Sequence, residues 1–137
     1  MYRRIFSMDD QLRFARLSGD FNPIHVDAVA ARRLMFGGPI VHGMHVLLWA
    51  LACWSEGRAG AHLREVRAVF KRPVRVDEAA SLSMVDRSDG RVQIGVLSDG
   101  AKAATIQIDW DEGGAARGRW VRHGRARATR SAGFVRC

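Results

Sequence analysis

The amino-acid sequence predicts an α+β domain in which an antiparallel β-sheet wraps around a central buried helix. Three observations support this. Residues 44–54 are apolar except for His45, the pattern of a helix enclosed by other structure and not of one lying on a surface. Four later segments, residues 66–76, 80–86, 91–97 and 103–110, show β-branched content and alternate in part, as strands do. Ser88-Asp89-Gly90 and Ser98-Asp99-Gly100 between them are hairpin turns by composition, so the strands should run antiparallel.

The other elements follow in chain order. A length of 137 residues suits one domain, and residues 2–7 form a candidate first strand. Ser7, with Asp9 and Asp10 behind it, marks a helix start, because a hydroxyl and first-turn carboxylates answer the unpaired amides there. Residues 8–17 place Leu12, Phe14, Ala15 and Leu17 at roughly helical spacing. Ser18-Gly19-Asp20 and Asn22-Pro23 end that helix. Residues 24–36 read as a short second helix closed by Gly37-Gly38-Pro39, and the apolar helix covers 42–56. Cys53, Trp49 and Trp54 fall inside it and read as core. Cys53 and Cys137 together offer neither a disulfide framework nor metal-ligand spacing.

The formal charge of +8 is unevenly spread. Residues 1–112 hold 15 Lys and Arg against 14 Asp and Glu, whereas residues 113–137 hold seven Arg and no acid. The expected organisation is therefore a domain of residues 1–112 followed by a basic, Gly- and Arg-rich mobile tail, whose isolated apolar side chains bury too little surface to offset the entropy of ordering. That tail offers mainly Trp120 and Phe134 for stacking on bases, which argues against a nucleic-acid partner. No run approaches the roughly 20 apolar residues of a membrane span, and the N-terminus lacks the apolar core of a secretory signal. A cytoplasmic protein is the expectation.

Candidate chemistry concentrates in Leu17-Ser18-Gly19-Asp20-Phe21-Asn22-Pro23-Ile24-His25-Val26-Asp27. Pro23 disfavours helical geometry at Asn22, so the chain between Asp20 and His25 must turn, and their side chains can converge on one water. A carboxylate and an imidazole form the acid/base pair that adding water across a double bond requires. The same residues also make good loop and capping chemistry with no catalysis implied. A second segment, Pro39-Ile40-Val41-His42-Gly43-Met44, sits directly before the apolar helix. The amide of Gly43 would point out of a positively polarised helix end and could hold an oxyanion. His42 beside it reads as a histidine bonded to backbone. His45 and His62 belong to no ligand set, and nothing in the pattern supports a metal.

These two blocks, with Phe70-Lys71-Arg72-Pro73-Val74 further on, resemble the signature of MaoC-like dehydratases and (R)-specific enoyl-CoA hydratases over roughly residues 5–112. The resemblance implies a hotdog fold, usually dimeric with active sites at the subunit interface. It implies a catalytic pair at Asp20 and His25, an oxyanion donor in the Gly43 amide and a supporting role for Asn22; His42 and Met44, flanking Gly43, are further candidates for binding substrate or supporting the site. It further implies reversible hydration of a trans-2-enoyl thioester to an (R)-3-hydroxyacyl thioester, with coenzyme A or acyl carrier protein as part of the substrate and no separate cofactor. Residues 76–78 depart from the family pattern by lacking the glycine common before the acidic residue. Two other functions compete. Hotdog domains also hydrolyse thioesters, although hydrolases of this fold do not typically carry the Asp-x-Asn-Pro-x-His block; a non-catalytic module binding acyl groups or polyanions ranks third.

Overall fold

A computed structural model describes residues 1–87 and 89–113; apart from Gly113, the expected basic tail lies outside them. Strand β1 (Tyr2–Ile5) leads into α1 (Met8–Ser18). The Ser7 hydroxyl accepts a hydrogen bond from the Asp10 amide at 3.1 Å, while the Asp10 carboxylate accepts one from the Ser7 amide at 2.9 Å. This reciprocal pair satisfies two amides that the helix cannot. Gly19 closes α1 at φ 79, a left-handed conformation that glycine adopts without strain. The buried stripe of α1 is Gln11, Phe14 and Ala15, at i, i+3 and i+4. Leu12 and Leu17 are exposed instead of joining the core, because they lie off that stripe.

The helix expected over residues 24–36 is two single turns, α2 (Pro23–Val26) and α3 (Ala28–Ala31). The Asp27 carboxylate accepts hydrogen bonds from the amides of Val29 and Ala30, both at 2.9 Å. It therefore starts a new helix inside the run. Turns through Gly37 then deliver the chain to α4 (Gly43–Ser55), followed by β2 (Ala61–Phe70), β3 (Ala79–Arg87), β4 (Arg91–Ser98) and β5 (Ala101–Glu112).

These strands form one antiparallel sheet in the order β1-β3-β4-β5-β2. Asp99 and Gly100, at φ 49 and 71, connect β4 to β5 in the two-residue hairpin that suits the sheet's twist. The segment expected as a strand over 66–76 is displaced. Pairing with β5 extends it back to Ala61, and it leaves the ladder after Phe70. Here the amides of Lys71 and Arg72 both donate to the Ala103 carbonyl, and Pro73 has no amide to continue the pairing. At residues 76–78, where a glycine was missing, Asp77 itself takes φ 65 and donates its amide to the Phe6 carbonyl at 2.8 Å. Aspartate tolerates the left-handed region better than most side chains.

Helix α4 lies against the inner face of the sheet, the hotdog arrangement. Val46, Trp49, Ala50, Cys53 and Trp54 belong to one core with Val92, Ile94 and Val96 of β4 and Ile106 and Ile108 of β5. The described residues do not enclose the helix on every side, however. Met44 is 55% and Leu48 46% exposed, and Leu47 and Leu51 beside them are only partly buried. Its apolar composition exceeds what one chain's sheet covers. Among the described residues no helix is long and apolar enough to cross a membrane.

Candidate active site

Three pieces of chain meet at the N-terminal end of α4: the loop between α1 and α2, the approach to α4, and the stretch leaving β2. They enclose a cavity of about 690 Å³ whose walls include Phe14, Phe36, Ile40, Met44, Phe70 and Val74. Asp20, His25, His42 and Gly43 also line it, so a mainly apolar chamber carries a small polar group at one end. Of the residues singled out in the sequence, the structure brings these four and Met44 together. Asn22 stands outside the lining.

The loop is built from side chains that turn back on nearby amides. The Ser18 hydroxyl accepts from the Asp20 amide at 3.2 Å, Asp20 Oδ1 from the Asn22 amide at 3.1 Å, and Asn22 Oδ1 from the Ile24 amide at 3.1 Å. Each bond spans two residues, the reach of short oxygen-bearing side chains in tight turns. Asn22 is thereby the N-cap of α2, with Pro23 at its first position. With Oδ1 so engaged, Asp20 Oδ2 faces His25 Nε2 at 4.0 Å. That gap exceeds a direct hydrogen bond and leaves both atoms free to contact a shared group.

His25 is the one buried residue of α2. Its Nδ1 lies 2.9 Å from the Ile40 carbonyl oxygen. Burial pushes its pKa below the usual histidine value; the bond to Ile40 opposes this, His42 adds to it and Asp20 opposes it. The ring is therefore neutral around pH 7. A carbonyl only accepts, so the proton of the neutral ring sits on Nδ1 and the lone pair on Nε2, facing Asp20 and the cavity.

The wall opposite is the start of α4. His42 occupies its N-cap position without a side-chain capping bond to the first turn, which leaves the leading amides of a 13-residue helix available at its positive end. Gly43 stands there beneath Phe70, whose ring would lie 3.4 Å from an added Cβ. A side chain at 43 would press on the cavity wall. The His42 ring, almost fully buried, stacks on His25 with centroids 4.0 Å apart. Its Nε2 lies 3.0 Å from the Asp20 carbonyl oxygen and its Nδ1 2.9 Å from Gln11 Oε1.

Gln11 was not singled out in the sequence. Its one signal is a carboxamide heading the stripe that continues with Phe14 and Ala15, a polar group on the apolar face of a helix. Asp20, His25 and His42 each offer one potential ligand atom, all within 4.8 Å. Both ring nitrogens of His42 are taken up by oxygens, so only two of the three keep a free lone pair, fewer than a typical zinc site uses.

The family model for the MaoC like domain matches residues 2–104 of this chain. The chain belongs to the MaoC-like family. It is 32% identical over 108 residues to the (R)-specific enoyl-CoA hydratase of Aeromonas caviae, covering 74% of this chain and 71% of that protein. It is also 32% identical over 109 residues to 3-hydroxyacyl-thioester dehydratase Y of Mycobacterium tuberculosis, covering 77% of this chain but only 38% of the relative. The chain spans 20% of the length of another curated relative, a probable dehydratase of Ajellomyces capsulatus, to which it is 32% identical over 74 residues. Among solved structures, an (R)-hydratase from A. caviae involved in PHA biosynthesis superimposes with a TM-score of 0.69 at 28% identity, over 78% of this chain and 88% of that one. The MaoC-like assignment agrees with the sheet-and-helix architecture and with the two sequence blocks that form this cavity.

Proposed function

We propose that this MaoC-like chain is a hydro-lyase that reversibly adds water to a trans-2-enoyl thioester, giving the (R)-3-hydroxyacyl thioester. The observation that carries the reading is the facing of Asp20 Oδ2 and His25 Nε2 across 4.0 Å at the end of an apolar cavity. A water between them can lose one proton to the pair as its oxygen bonds to C3 of the acyl group. The electrons of the C2–C3 double bond then move towards the thioester carbonyl, and the pair returns one proton to C2, so atoms and charge balance. The carbonyl oxygen gains negative charge on the way, and the Gly43 amide at the start of α4 is positioned to stabilise it. The apolar walls suit an acyl chain, with Met44 and Phe70 among the side chains that would touch it. The carrier is coenzyme A or acyl carrier protein, and the step as written needs no further cofactor.

The working unit in this reading is a homodimer. The open face of α4, with Met44 and Leu48 exposed, and the unpaired edge of β2, where Leu63, Val69 and Phe70 are exposed, give a second copy an apolar surface and a strand to pair with. Light scattering on the purified protein tests this, and a fully active monomer would contradict it.

Incubation with crotonyl-CoA and longer enoyl-CoAs, following loss of the conjugated thioester absorbance, tests the reaction. Water addition to C3 without release of free thiol is the expected result. Thiol release in its place would make the chain a thioester hydrolase.

A further inference from the structure

Gln11 is fully buried on the core-facing stripe of α1, beside Phe14 and Ala15, and for stability alone it is a poor choice there. Its Nε2 is buried with no hydrogen-bond partner among the described residues, a cost that an apolar side chain of the same length would not carry. Turning the carboxamide over does not remove that cost, because the His42 main-chain amide can only donate and needs the oxygen on its side. What the glutamine supplies is Oε1, and both contacts of that oxygen go to one residue. It accepts from the His42 amide at 3.1 Å and lies 2.9 Å from His42 Nδ1. Main chain and ring are thus held together, which fixes where the peptide stands and which way the ring turns.

The ring so turned reaches the loop. Its Nε2 lies 3.0 Å from the Asp20 carbonyl oxygen, and its face lies against His25 with centroids 4.0 Å apart at 25°. Gln11 and Asp20 therefore bracket the ring at its two nitrogens, whichever of these carries a proton, and His25 covers its face. Between Gln11 and Asp20 run the rest of α1 and its closing turn at Gly19, so the one ring clasps that span at both ends to the start of α4. The other bonds of this region do something else. His25 is tied to the Ile40 carbonyl by its own Nδ1, and the Asp20 carboxylate to the Asn22 amide within the loop. Among the described residues, the His42 ring is the one side chain that holds the Asp20 carbonyl. We propose that Gln11 is a positioning residue: acting through the His42 ring, it fixes where the Asp20 segment stands against α4 and so keeps Asp20 Oδ2 4.0 Å from His25 Nε2. The turn bonds of the loop set the shape of that segment, and Gln11 sets its place.

The proposal rests on Asp20 and His25 being the acid/base pair, and a double-mutant cycle on the full chain separates the two. Gln11→Met keeps the length and apolar bulk of the side chain but withdraws the acceptor. It should lower kcat for hydration of crotonyl-CoA by about tenfold, within what a misplacement of up to about 1 Å costs a fixed reacting geometry. KM should stay within about twofold, because Gln11 is not among the residues that line the cavity. In the Asp20→Asn background, with no carboxylate left to place, the same change should lower kcat by less than about twofold. His42→Phe breaks the bridge at its other end while keeping a ring against His25, and its loss of kcat should depend on Asp20 in the same way. A folded Gln11→Met enzyme with the parent's kcat, or one losing the same factor in both backgrounds, would show that the glutamine only packs. An equal loss for His42→Phe in both backgrounds would overturn the bridge even where Gln11→Met does not fold. Parental hydration by Asp20→Asn alone would instead remove Asp20 from the reaction, and this proposal with it.

Discussion

The loop carrying Asp20 and His25 and the central strand β4 are built on opposite principles. The loop, residues 18–27, buries only His25 and is held by side chains bonding to amides two or three residues ahead. In β4, Val92, Ile94 and Val96 are all but inaccessible, and both neighbours are paired along its length. Even Gly95 there has a packing role, since an added Cβ would meet Ser83 Oγ at 2.7 Å. One region orients polar atoms with little apolar burial; the other buries apolar surface and offers no chemistry. Stability and reactivity in this chain should therefore be separable by substitution.

The sharpest separation is expected at the proposed acid/base pair. Asp20→Asn and His25→Ala should each lower kcat for hydration by at least about a hundredfold, the lower end of what general acid/base groups contribute. Asp20→Asn, at a partly exposed position, should melt within a few degrees of the parent by circular dichroism. A large loss of melting temperature in that variant would show that the loop is also structural and break the division. Ile94→Ala is the converse. It should cost about 2–5 kcal/mol of unfolding free energy in a denaturant titration, as deletions from packed cores do, while the folded fraction keeps its kcat. Asn22→Ala removes the cap of α2 and should cost about 1 kcal/mol, with a fall in kcat as Asp20 and His25 lose their fixed separation. Unchanged kcat would show that His42 and Ile40 hold the two residues without the cap. The smallest effect is expected at Asp77→Gly, which relieves a left-handed aspartate outside the cavity lining. It should raise stability by no more than about 1 kcal/mol and leave the kinetics alone.

Much of the site was legible because it is local. The bonds from Ser7, Asp20, Asn22 and Asp27 reach two or three residues along the chain, a distance at which residue type and spacing dictate who meets whom. Elements failed where a local choice had competitors. Residues 24–36 have helical composition, yet Asp27 restarts the helix. Residues 66–76 carry four valines, yet the pairing stops before Pro73. Leu12 and Leu17 match a helical spacing but not the stripe that the core selected.

The sequence by itself determined the α+β class, the antiparallel hairpins, the apolar central helix and the segment carrying Asp20 and His25, because periodicity, turn residues and capping act over a few positions. Only the tertiary structure decided that Gln11 reaches His42 across 31 positions, that His42 then reaches Asp20 and stacks on His25, and that the described residues leave one face of α4 uncovered. Those contacts depend on how α1, α4 and the sheet pack in three dimensions. Nothing in the local pattern of a chain specifies which buried polar groups from distant segments will face each other.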